Sequence, residues 1–155
     1  MRIIPERAYA QVERHLRRRK GALDQARREY AEALSDAVSL GGTLGHEGGT
    51  SRGSMPGDPT GRAADRVLRA GERVKAAEAW EAVILQADAD FPPESVERQV
   101  ADMHYQARMT LAAIGRLLHY ERQTIQRRND IYVQRVAWYA AIRGLLDGQD
   151  RTGAE

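Results

Sequence analysis

The chain has 155 residues, with 24 Lys and Arg against 22 Asp and Glu, no Cys, and six Tyr, two Trp and one Phe. The absence of Cys excludes disulfides, thiolate chemistry, Cys-ligated zinc and iron–sulfur clusters, and no stretch approaches the run of about 18 apolar residues that a membrane-spanning helix needs. A net charge of +2 and a mean hydropathy of −0.61 fit long, solvated helices with narrow apolar seams better than one large core.

From about Pro5 to Leu40 there is one Gly and no further Pro, in a dense mixture of Arg, Glu, Ala and Leu. Pro5 suits a first helical turn, where its missing N–H costs nothing. Tyr9, Val12, Leu16, Arg19, Leu23, Ala26, Tyr30 and Ala33 alternate by three and four, the spacing of a coiled-coil seam in which only Arg19 is foreign. The run Arg17-Arg18-Arg19-Lys20 invites a nucleic-acid reading, against the plainer one of charges on the solvated side of a helix. No apolar leader follows the first six residues, so a cytoplasmic protein is expected.

Residues 41–57 (GGTLGHEGGTSRGSMPG) are expected to be a flexible linker, since their Gly density leaves too little apolar surface to offset ordering. Asp58-Pro59 then marks a helix start, as N-cap and first position. The seam resumes at Ala63, Val67, Ala70, Val74 and Ala77, so the two helices (1–40 and 58–91) are predicted to fold back as a hairpin. Trp80, Val83, Ile84 and Leu85 widen the apolar stripe, Phe91-Pro92-Pro93 ends the helix, and Pro93 can open the next, bearing Val96, Val100, Met103 and Tyr105.

The informative segment is Met109–Asn129, MTLAAIGRLLHYERQTIQRRN. Leu111, Ile114 and Leu118 share a helical face, His119-Tyr120-Glu121 reads as a turn, and a second helix begins at Arg122. A helix-turn-helix needs a small residue at the crossing, an apolar residue at the turn and an apolar anchor early in the second helix; Gly115, Tyr120 and Ile125 stand at those relative positions. Three residues depart from the pattern: His119 where Gly is usual, Glu121 where Ser or Thr would cap better, and Arg128 at an often apolar position. A plain helical hairpin within a bundle is the alternative. In the DNA-binding reading, Arg122 and Gln123 reach base edges, Gln126 does so one turn later, and Arg127 and Arg128 clamp phosphates. Residues 101–146 hold seven Arg against Asp102, Glu121 and Asp130, in keeping with an anionic partner there. Beyond the motif, Tyr132, Val136, Trp138, Tyr139 and Ile142 are expected to pack on the Trp80–Leu85 stripe.

The chain resembles the RinA/ArpU-type transcriptional regulators of phages and prophages of Gram-positive bacteria. The resemblance lies in the charged N-terminal helix, the Gly/Ser linker, the stretch GDPTGRAADRV (Gly57–Val67) and the sigma-region-4-like helix-turn-helix. It implies a regulator that activates late genes by binding promoter DNA and engaging RNA polymerase. The expected architecture is all-α: a long coiled-coil hairpin, a helix-turn-helix domain over 92–146 and a disordered tail over 147–155. Double-stranded DNA, host RNA polymerase and a second copy of the chain, as a dimer, are the expected partners, with no membrane. A small-terminase-like packaging protein and a purely structural coiled-coil protein are the competing functions. Catalysis is not expected, nor any cofactor or metal: the four His are scattered without HExxH, and the glycines form neither GxxxxGK[ST] nor GxGxxG.

Overall fold

The computed structural model describes residues 3–44 and 58–148, and these are all-helical: α1 (Glu6–Leu44), α2 (Pro59–Asp90), α3 (Val96–Ala101), a π-helical turn (Asp102–Gln106), α4 (Leu111–Leu118) and α5 (Arg122–Ile142). No strand occurs among the described residues, and no helix among them is long and apolar enough to cross a membrane. Helix α1 runs four residues past the expected end at Leu40. The rest of the expected linker, 45–57, and most of the expected tail lie outside the described residues.

Two compact units emerge, and they do not follow chain order: Met1–Lys20 together with Ala79–Glu155, and Gly21–Glu78. In the second unit, α1 and α2 lie antiparallel. The ion pairs Arg27–Glu78, Arg73–Glu29 and Arg66–Asp36, at 3.4–3.5 Å, climb one helix while descending the other. Ala26, Ala33, Ala63 and Ala70 are buried between the helices, and Leu23, Tyr30, Val67, Val74 and Ala77 are half-buried, so the three-and-four seam is the covered side. The ion pairs are solvent-exposed and contribute little each, leaving the small-residue seam to hold the pair. Asp58 caps α2 as the sequence indicates, accepting the Thr60 N–H at 3.1 Å. Gly21, within α1, has a φ of +93°, which a residue with a Cβ rarely adopts.

The first unit has a more substantial core than the composition suggested. Tyr9, Val12 and Leu16 of α1, Trp80, Val83, Ile84 and Ala87 of α2, Tyr105 of the π turn, and Tyr132, Val133, Val136, Ala137 and Ala140 of α5 form one buried cluster. The expected packing of α5 on the Trp80 stripe therefore holds for Tyr132 and Val136, and for half-buried Tyr139 at the edge of the cluster. Trp138 and Ile142, by contrast, point to solvent, 55% and 65% exposed, because α5 buries only one side. His15 stacks on Trp80 at 3.8 Å between ring centroids, and burial together with the charges of Arg14 and Arg18 holds its pKa below the ordinary value. Buried Gln11 is satisfied at both ends, donating to the Leu145 carbonyl and accepting the Asp147 N–H.

Polar groups penetrate this core as a network. Asp88, 7% exposed, accepts from Arg19 Nη1 at 2.8 Å and from the Tyr132 hydroxyl at 2.6 Å. Arg98 Nε lies 3.5 Å from Asp88 and 3.4 Å from Asp102, while its Nη1 donates to the carbonyls of Asp88 and Phe91 and so caps the end of α2. Arg19, the residue foreign to the seam, is thus the inward partner of Asp88 and Glu81.

Candidate nucleic-acid interface

Helix α3 opens at a Ser95 cap, whose Oγ accepts the Arg98 N–H, rather than at Pro93; a turn closed by the Ser95 N–H to Pro92 carbonyl bond takes up the intervening residues. The π turn that follows adds a residue to the helical pitch. It ends with Arg108 in the left-handed region (φ 60°) and the Met109 N–H bonded back to the Met103 carbonyl. Val100 and Met103 enter a second apolar cluster, while Ala101 and Tyr105 enter the main core.

Thr110 then caps α4 through the Ala113 N–H. Helix α4 ends in a Schellman-type turn: His119 is left-handed (φ 60°, ψ 40°), and the Tyr120 N–H returns to the Gly115 carbonyl at 2.9 Å. Gly115 is required there, since a Cβ on it would stand 2.7 Å from the Tyr120 carbonyl oxygen. Glu121 begins α5 in an extended conformation with no side-chain bond to the exposed N–H groups. Ile125, fully buried, packs with Val100 and Ile114, and Leu111 and Leu118 lie against them. Tyr120, expected to supply the apolar contact at the turn, is 44% exposed instead; the Gly115–Ile125 approach closes the corner without it.

Two conformational costs in this turn can be relieved. His119→Gly removes a Cβ from a left-handed site and is expected to stabilise the chain by about 1 kcal/mol. Glu121→Ser supplies the missing cap for a similar gain of about 1 kcal/mol. Each should raise the melting midpoint by about 2–4 °C in a circular-dichroism melt; a lowered midpoint for His119→Gly would mean that the imidazole itself holds the turn.

The residues expected to meet DNA divide into two groups. Arg122, Gln123 and Arg127 are exposed on the first turns of α5 and have no hydrogen-bond or ion-pair partner among the described residues. Gln126 and Arg128 are engaged within the protein: Gln126 donates to Asp130 at 2.9 Å, and Arg128 pairs with Glu97 at 2.6 Å. Arg128, at the position often held by an apolar residue, thereby ties α5 to α3.

One residue that the sequence reading passed over lies just beyond. Asn129 is 1% exposed, and its Nδ2 donates to the hydroxyls of Tyr105 (2.9 Å) and Tyr9 (3.3 Å). Tyr105 in turn donates to Glu13, and Tyr9 to Asp130, so α1, the π turn and α5 are joined through hydroxyls whose ionisation burial suppresses for Tyr105. Its signal was a lone amide one turn after Ile125 on the inward side of α5. Among the described residues, no group of three or more His, Asp or Glu could hold a metal ion. Comparison with known protein families, with curated proteins and with solved structures found no match.

Proposed function

We propose that the chain is a non-enzymatic, DNA-binding transcriptional regulator of the kind the RinA/ArpU resemblance implies, with the N-terminal half of α5 entering the major groove. The observation that supports this reading best is the division of labour on α5. Ile125 and Asn129 anchor one side, while Arg122, Gln123 and Arg127 stand exposed and unpartnered on the first turns of a helix aimed by a tight, Gly-dependent corner. Arg122 and Gln123 are base-reading side chains, suited to guanine and adenine, and Arg127 is a phosphate contact. In this reading Gln126 and Arg128 also help to position α5, through their bonds to Asp130 and Glu97. A second copy of the chain, matching paired half-sites, and an RNA polymerase are the protein partners of this reading.

The test is binding to duplex DNA selected from a random pool, titrated at several salt concentrations. Gln123→Ala is expected to relax discrimination at one base pair by about 1–3 kcal/mol with little change in nonspecific affinity. Arg127→Ala should weaken cognate and scrambled duplexes alike and lower the salt slope by about one unit. If the wild-type chain selects no sequence and neither substitution changes binding, the regulator reading fails.

A further inference from the structure

The basic run at 17–20 is not part of α5, yet the fold gives it a specific setting. Arg19 turns inward to Asp88 and Glu81. Arg14, Arg17 and Arg18 stay on the outer side of α1, where they meet Arg108 across an open cavity of about 380 Å³ whose other lining residues are Ala10 and Glu13. Arg108 is brought there by its left-handed backbone and by an Nη2 bond to the Arg17 carbonyl at 3.3 Å. The single carboxylate of the cavity, Glu13, is already engaged: it accepts the Tyr105 hydroxyl at 2.9 Å and lies 3.8 Å from Arg17. Arg14 and Arg18 have no carboxylate partner among the described residues.

Four guanidinium groups sharing one cavity repel one another, and a non-Gly residue at positive φ adds backbone cost to bring the fourth one in. A phosphate reverses that balance, because guanidinium forks match its oxygens in charge and geometry. The cavity is joined to the inward side of α5: its wall residue Glu13 accepts the Tyr105 hydroxyl, which in turn accepts from buried Asn129.

We propose that Arg14, Arg17, Arg18 and Arg108 form a phosphate site that takes a backbone phosphate of the bound duplex; this rests on the DNA-binding reading above. The site positions the protein on DNA without reading sequence.

The test uses the full chain and a fluorescently labelled duplex, with anisotropy titrations over about 50–200 mM salt. Arg14→Gln/Arg18→Gln removes two exposed charges that pair with no carboxylate and relieves their mutual repulsion, so its melting midpoint should match or exceed that of wild type. Its affinity at the lowest salt is expected to fall about tenfold, and its log–log salt slope by about one unit, with the ratio of cognate to scrambled binding unchanged. Arg62→Gln/Arg69→Gln, with the same loss of net charge in the other unit, should keep the wild-type slope. A double variant at 14 and 18 that retains wild-type slope and affinity overturns the site, as does an equal loss in the control variant. Wild-type protein that binds no duplex even at the lowest salt overturns the DNA-binding reading itself, and the site with it.

Discussion

Asp88→Ala is expected to destabilise the chain by about 3–5 kcal/mol, the largest effect of any single substitution considered for this fold. Asp88 sits at 7% exposure between two arginines whose side chains are themselves only 19% and 22% exposed. Removing its carboxylate leaves the charges of Arg19 and Arg98 in a poorly solvated place and the Tyr132 hydroxyl without its acceptor. Glu81 still reaches Arg19 at 3.3 Å and Asp102 still reaches Arg98, which places the loss toward about 3 kcal/mol rather than 5. Tyr132→Phe breaks one bond and keeps both ion pairs, so about 1.5 kcal/mol is expected. Urea titrations of the three proteins give the order directly. A cost for Asp88→Ala no greater than that of Tyr132→Phe would show that the arginines need no carboxylate there.

Arg19 illustrates what sequence could and could not reveal. Its position in a three-and-four seam was legible, and so was its oddness, but not the partner that resolves it, because Asp88 lies 69 residues away. Periodicity locates α1, α2, α4 and α5 well, since each buries one side, and Asp58-Pro59 locates the start of α2 by local chemistry alone. The grouping of residues 1–20 with those from Ala79 onward was not legible. Patterns of three and four say that a helix side is covered without saying by what. The π turn was hidden for a related reason: an added residue in one turn leaves no mark in the composition or in the local apolar spacing. Within the candidate interface, the exposed Arg122, Gln123 and Arg127 follow from the placement of Ile125 as anchor. The engagement of Gln126 and Arg128 depends on Asp130 and Glu97, and which charges pair is decided by side-chain reach in three dimensions. The Arg108 cavity was out of reach for both reasons, since it joins a strained residue after the π turn to a helix 91 positions earlier.

Gly115→Ala is expected to lower stability by about 2 kcal/mol, although Ala is the better helix former by about 1 kcal/mol. The sign decides between two pictures of the corner. If α4 and α5 were merely consecutive helices of a bundle with an incidental small residue, the propensity gain would prevail and the variant would be more stable. In the structure the added Cβ would stand 2.7 Å from the Tyr120 carbonyl oxygen, a backbone atom that also belongs to the turn closed on Gly115. The turn must therefore move, and with it Glu121 and the first residues of α5. Arg122 and Gln123 lie in that displaced segment, so sequence-specific duplex binding should fall more than nonspecific binding at a temperature where both proteins remain folded. His119→Gly in the same chain frees the adjacent backbone to take another path, and the double variant should recover part of the lost stability beyond the gain that His119→Gly gives alone. Thermal melts of the two single variants and the double variant measure that coupling. Strict additivity would mean that the clash is absorbed elsewhere, and a stabilised Gly115→Ala would mean that the corner is open and α5 is not held at a fixed angle.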